Sequence, residues 1–192
     1  MLSFFLTKFT ILIMQTNNTT NEHIKNKRPW LRYFFEILLV VGIIFGIRAW
    51  QQKDLAVGEA PSFQSVMLDG KTVNLEDYRG KPFILHFWAS WCAFCKFEEG
   101  SMTKIQQDWP MLSVAYQSGN KSEVESHMKE RGIEAWPTIV DKDNRLGDLF
   151  GVRGVPTSYI IDGKGNIRFA EVGLTSSWGL RARLWWASRF QN

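Results

Sequence analysis

Cysteine and histidine are scarce in this chain. It has two cysteines, Cys92 and Cys95, and three histidines, His23, His86 and His127, in 192 residues. Two cysteines cannot build the several-bridge framework of a small secreted scaffold. A structural zinc needs about four ligands, which so few thiols and imidazoles serve poorly. Positive charge is not concentrated either. The net charge is +4, but Lys and Arg are scattered, and no basic stripe interleaved with aromatics marks a nucleic-acid surface. Solubility and membrane-flanking charge account for the excess. There is no internal repeat, and no low-complexity tract beyond Asn17–Asn21. Hydrophobic residues at 45% and nine Trp supply one globular core once the N-terminal region is set aside.

What is present centres on Trp91-Cys92-Ala93-Phe94-Cys95. It follows the apolar run Phe83-Ile-Leu-His-Phe-Trp-Ala89 and precedes a helix-like segment. A Cys-x-x-Cys pair at a strand-to-helix junction is a redox device. The helix N-terminus presents free N–H groups and partial positive charge, which stabilise a thiolate on Cys92. Cys95 lies one turn on, close enough to close a disulfide. A zinc site and a purely structural disulfide are the weaker alternatives.

The N-terminal third reads as a targeting region. Residues 30–50 are mostly apolar, and as a helix they span about 30 Å, the thickness of a hydrocarbon core. Trp30, Tyr33 and Trp50 lie near the ends, where an aromatic belt belongs, and Arg32 and Arg48 can snorkel. Glu36 is the awkward residue, and the uncharged stretch Ile37–Ile47 is short for a span. Lys25, Lys27, Arg28 and Arg32 precede the core, whereas Arg48 and Lys53 follow it, so the N-terminus is expected in the cytoplasm. A cleaved signal peptide competes with this reading, but Gly46–Gln52 has no small-x-small site and carries bulky Trp50. The apolar patch 1–13, with Lys8 inside it, is too short to span. Met14 is an alternative start that leaves a short tail; a second membrane-associated segment is the other reading. The expected organisation is a cytoplasmic tail 1–29, an anchor 30–50, a polar linker 51–58 and a globular domain 59–190.

Within that domain, Phe63–Leu68 and Thr72–Leu75 around Asp69-Gly70 read as a β-hairpin. Glu76–Gly80 is a turn or short helix. Pro82–Trp88 suits a strand buried on both faces. Ala93–Asp108 is helical, Met111–Tyr116 a strand, and Lys121–Arg131 a helix closed by Gly132. Thr138–Val140 is extended and Arg145–Phe150 helical. Thr157–Ile161 and Asn166–Val172 form a hairpin, and Ser176–Phe190 a final helix. Strands alternating with helices argue α/β.

Phe87-Trp-Ala-Ser-Trp-Cys-Ala-Phe-Cys-Lys96 resembles the active-site signature of the thioredoxin superfamily. Gly154-Val-Pro-Thr157, ahead of Ser158-Tyr-Ile-Ile-Asp162, is similar to that family's cis-proline loop. Glu59-Ala-Pro-Ser-Phe63 and the hairpin after it look like the membrane-anchored TlpA/ResA/DsbE-like bacterial subgroup. The resemblance covers about residues 59–190. It implies a thioredoxin-like fold, with a central mixed sheet flanked by helices and an extra N-terminal β-hairpin, preceded by one transmembrane helix.

The resemblance also assigns roles. Cys92, the more exposed thiol, is the nucleophile that attacks a partner disulfide, and the more buried Cys95 resolves the mixed disulfide. Pro156 is the expected cis-proline, leaving the Val155 backbone free to pair with an extended substrate; Pro137 is its rival. Glu98, three residues after Cys95, either modulates the thiols or is a solvated first-turn carboxylate. Glu99 is taken as solvated. His86 stands where thioredoxins carry a buried Asp, six residues before the first cysteine; it is either a proton shuttle for Cys95 or a core histidine satisfied by its surroundings. Trp91 is a rim aromatic and Trp88 a core one. Trp178, Trp185 and Trp186 are given to core or membrane-facing packing rather than catalysis.

The expected activity is a membrane-tethered thiol–disulfide oxidoreductase of the bacterial inner membrane, single-pass, with its catalytic domain in the periplasm. It reduces disulfides of exported proteins, needs no cofactor, draws electrons from a transmembrane dithiol donor and works as a monomer, there being no evident apolar docking stripe. A disulfide-donating oxidase and a non-catalytic binding module of the same fold are the alternatives.

Overall fold

The computed structural model describes residues 29–189. The apolar patch 1–13, Met14, the charges Lys25, Lys27 and Arg28, and Phe190 therefore lie outside the described residues. Helix α1 is Pro29–Gln52. Its apolar window, Trp30–Ile47, has a mean hydropathy of 2.0 and none of it is buried. Glu36 is paired with Arg32 one turn earlier, Nε to Oε1 3.0 Å. The pair reduces the charge that this helix would bring into a bilayer.

The domain is built on a six-stranded mixed sheet. Its strands are β1 (Gly58–Glu59), β4 (Phe83–Trp88), β5 (Met111–Tyr116), β6 (Thr138–Asp141), β7 (Thr157–Ile161) and β8 (Asn166–Val172). They are ordered β1-β8-β7-β4-β5-β6. β4, β5 and β6 run parallel, while β7, β8 and β1 are antiparallel to their neighbours. Every residue of β4 is buried, His86 included, as its near-continuous apolar run predicts.

A separate hairpin, β2 (Gln64–Val66) and β3 (Thr72–Asn74), caps the β6 edge. Met67 bridges Ile139, and the Leu68 amide donates to the Thr138 carbonyl at 2.8 Å. The open edge of the sheet is thereby covered. Helices α2 (Ala93–Gln106), α3 (Lys121–Arg131) and α5 (Ser177–Arg189) pack on one face through Met102, Ile105, Val124, Met128, Leu180 and Leu184. The other face is covered by α4 (Arg145–Phe150), the hairpin and residues 55–63 through Phe150, Leu146, Val73, Phe63 and Leu55. Helix α3 shows how local chemistry sets the bounds. Asn120 and Glu123 form a capping box at its start, and Gly132 (φ 66°) closes it in the left-handed region.

One expectation needs correction. Residues 51–58 are not a free polar linker. Leu55 is buried, the Ala56 amide donates to the Phe150 carbonyl at 3.0 Å, and Gly58–Glu59 pair with Asn166–Ile167 as the edge strand β1. Leu55 and Ala60, buried on either side of Gly58–Glu59, draw this short stretch onto the sheet despite its polar neighbours.

Candidate active site

Cys92 occupies the N-cap of α2, and its Sγ accepts the Cys95 amide at 3.1 Å. The two sulfurs form a disulfide. The β4–α2 turn is held from the loop that follows the adjacent strand β5. Ser118 Oγ accepts the Ser90 amide at 3.0 Å, and Trp91 Nε1 donates to the Gln117 carbonyl at 3.1 Å. The sequence pointed to neither Gln117 nor Ser118, because they reach the site through the β4–β5 pairing rather than through a local motif. Both thiols are buried in this oxidised form, Cys92 at 5% and Cys95 at 4% exposure, so the expected difference between them is small here. The Cys92 sulfur is turned inward, against the Cys95 amide and 3.5 Å from the Val155 carbonyl oxygen.

Val155–Pro156 is the cis peptide bond among the described residues; Trp136–Pro137 is not. Thr157 Oγ1 donates to the Gly154 carbonyl at 2.7 Å and closes that loop. The structure thus brings Cys92, Cys95, Val155 and Pro156 to one end of the sheet.

Glu98 and Glu99 part company. Glu99 is not a freely solvated carboxylate: it pairs with Arg131, Nη2 to Oε2 2.7 Å, and ties α2 to α3. Glu98 is buried on the same face of α2 as Cys95, one turn further on. Its Oε1 accepts the Thr175 amide, and its Oε2 has no hydrogen-bond partner among the described residues. Burial pushes this carboxyl up to about 7, with the Thr175 hydrogen bond opposing. Of its two readings, the solvated one is therefore excluded. Thr175 is 77 residues away, in the loop before α5; no sequence signal marks it.

His86 is buried, with Nδ1 2.9 Å from Ser158 Oγ and its ring edge-on to Trp136. Burial holds its pKa down to about 3, so the ring is neutral at any ordinary pH. This geometry suits the core reading of His86. Strand register places it in a row of four polar residues, Ser158, His86, Ser113 and Thr138, running straight across β7, β4, β5 and β6 beneath α2. Ser113 and Thr138 hydroxyls bond at 2.6 Å, and Trp88 Nε1 donates to Ser113 Oγ at 3.3 Å.

The surface also departs from expectation. Trp91, Phe94 and Phe97 stand exposed beside the dithiol, and Trp178 and Trp185 stand exposed on α5, so exposed apolar side chains are grouped on the surface where no docking stripe was expected.

Comparison with known proteins agrees with this geometry. The sequence profile of the AhpC/TSA family matches residues 57–170. The chain is similar to the thioredoxin-like protein YneN of Bacillus subtilis, at 30% identity over 76% of this chain and 91% of the relative. It is similar to the thiol-disulfide oxidoreductase ResA of Oceanobacillus iheyensis, at 30% identity over 80% of this chain and 86% of the relative. Among solved structures, a thioredoxin-family thiol:disulfide interchange protein of Chlorobium tepidum superposes with a TM-score of 0.60 at 28% identity, covering 70% of this chain and 98% of that one.

Proposed function

The chain belongs to the AhpC/TSA family of thioredoxin-like proteins and is a thiol–disulfide oxidoreductase; from that premise we propose that it is a membrane-tethered, periplasmic enzyme that reduces disulfides of exported proteins. The observation that carries the catalytic part is the Cys92–Cys95 pair, capped on α2 and set against the Val155 carbonyl. The helix Trp30–Ile47 supports the tether.

In the reduced state the Cys92 thiolate, stabilised by the Cys95 amide and the α2 N-terminus, attacks one sulfur of a substrate disulfide. A mixed disulfide forms and the first substrate sulfur leaves as thiolate. Val155 offers backbone groups beside the attacked sulfur, to which an extended substrate pairs as an added strand. The Cys95 thiol then loses its proton and attacks Cys92 Sγ. The second substrate sulfur leaves, and the chain is left as the Cys92–Cys95 disulfide. Two electrons have passed to the substrate. Glu98, buried one turn from Cys95 and with a carboxyl near 7, takes the Cys95 proton. His86 acts as a positioning residue through Ser158 on the strand that follows Pro156. A transmembrane dithiol donor returns the electrons. One copy of the chain carries every group the site needs, so a monomer suffices.

The test is turnover. Full-length protein, reduced and freed of reductant, should release two thiols from a disulfide-bonded substrate protein per chain, and Cys92→Ser should release none. Binding of substrate without thiol release would instead make this a binding module. Protease added to spheroplasts should remove the domain; protection of the domain would contradict the periplasmic placement.

A further inference from the structure

Three aromatic side chains ring the dithiol and point away from the core. Trp91 is 60%, Phe94 62% and Phe97 76% exposed. Phe94 and Phe97 are one helical turn apart and so lie side by side on α2. Next to Phe97, Glu98 holds the Thr175 amide, which places the first turn of α5, with Trp178 at 82% exposure, beside this group. So much exposed aromatic surface in one place marks a contact with another apolar phase.

The length of the tether says which phase. The apolar window ends at Ile47, seven residues before Asp54. Asp54 is already seated on the domain, because a Cβ at Gly151 would strike its carbonyl. Leu55 is buried and Ala56 is bonded to Phe150 just beyond it. Seven residues reach about 10 Å as helix and at most about 25 Å fully extended; α1 continues as helix to Gln52, so the shorter figure governs most of the distance. The 150–155 loop is thus held close to the headgroup layer. The far end of that loop is Val155, whose carbonyl lies 3.5 Å from Cys92 Sγ. The aromatic ring is therefore at the tethered end of the domain. Lys53, Lys96 and Arg153 are exposed at the same end, and cations there are drawn to anionic headgroups. Aromatic rings with cations beside them are the composition that settles at a membrane–water interface.

We propose that Trp91, Phe94, Phe97 and Trp178 rest on the bilayer surface, so that the dithiol works at the lipid–water interface. The inference rests on reading Trp30–Ile47 as a membrane span. Substrates are then met as they leave the membrane, and soluble disulfides reach Cys92 only when the rim lifts.

The full chain, reconstituted in vesicles of phosphatidylethanolamine and phosphatidylglycerol that carry a photoactivatable group near the headgroup end of the acyl chains, is irradiated, and the labelled peptides are mapped by mass spectrometry. Label is expected on 30–50 and also on 91–97. Phe94→Ser with Phe97→Ser should lower the second signal about tenfold and leave the first unchanged. Label on 30–50 without label on 91–97 would overturn this proposal alone, and would leave the rim to a protein partner. Absence of label from 30–50 would overturn the membrane span itself and the proposal with it.

Discussion

The two faces of the central sheet differ sharply in what they bury. On the face covered by α4 and the hairpin, the middle of the sheet presents Phe87, Val114 and Ile139 in one row, with Phe87 against the rings of Phe150 and Tyr159. On the face beneath α2, the next row along is Ser158, His86, Ser113 and Thr138, with Glu98 and both cysteines above the same face. One residue along a strand changes the face and the chemistry. A buried polar group is costly unless it is bonded, and the hydroxyls and imidazole of this row are bonded to one another or to Trp88. Both faces bury an apolar core, but the buried polar row, Glu98 and the dithiol share one of them, so the proton chemistry lies on that side alone.

The largest separation between the faces comes from two substitutions with opposite signatures. Cys92→Ser should abolish disulfide turnover and leave the urea midpoint of the reduced protein nearly unchanged. Phe87→Ala, on the apolar face, should lower unfolding free energy by about 3–5 kcal/mol, while the fraction that remains folded still exchanges disulfides. If Phe87→Ala instead changed turnover of the folded protein as strongly as its stability, the faces would not be separate.

Glu98 sharpens the contrast through pH. Its folded pKa, about 7, is raised above the ordinary 4.5 by burial. The native state therefore holds a proton that the unfolded state releases, and stability falls as pH rises from about 4.5 to 7. Glu98→Gln keeps an acceptor for the Thr175 amide without the charge. It should match the parent below pH 4.5 and exceed it by up to about 3 kcal/mol at pH 8, while the neutral-pH limb of its turnover profile is lost. Equal stabilities at pH 8 would contradict the buried-carboxyl account.

His86 works in the opposite direction. Its folded pKa, about 3, is depressed below the ordinary 6.5 by burial. The native ring stays neutral while the unfolded one gains a proton, so its contribution is complete above pH 6.5 and is lost as pH falls toward 3. By pH 5 this removes about 2 kcal/mol from the parent. His86→Leu should flatten that acid slope in denaturant titrations. A change in the turnover pH profile of His86→Leu, with its acid slope intact, would restore the proton-shuttle reading in place of the positioning one.

Much of this was legible in the sequence, for identifiable reasons. The apolar run of β4, the turn residues between β7 and β8, and Gly132 at the end of α3 are local signals, and the elements followed them. The dithiol and its helix follow from spacing. β1 was not legible, because Gly58 and Glu59 carry no strand pattern and pair only where β8 offers an edge. Ser158 as the partner of His86, and Thr175 as the partner of Glu98, depend on register and on a loop far along the chain. Trp91 was legible as a rim aromatic, but Phe97 was not, because composition does not say which side of a helix a phenylalanine takes, and Phe97 lies off the buried Cys95–Glu98–Met102 face of α2.

The most direct test of the central claim is the reduction potential of Cys92–Cys95 in the full-length protein, equilibrated against glutathione. The account predicts a value near that of thioredoxin, about −270 mV, as befits a dithiol that delivers electrons. A value near about −120 mV would make the protein a disulfide donor, and would contradict the direction of electron flow argued above.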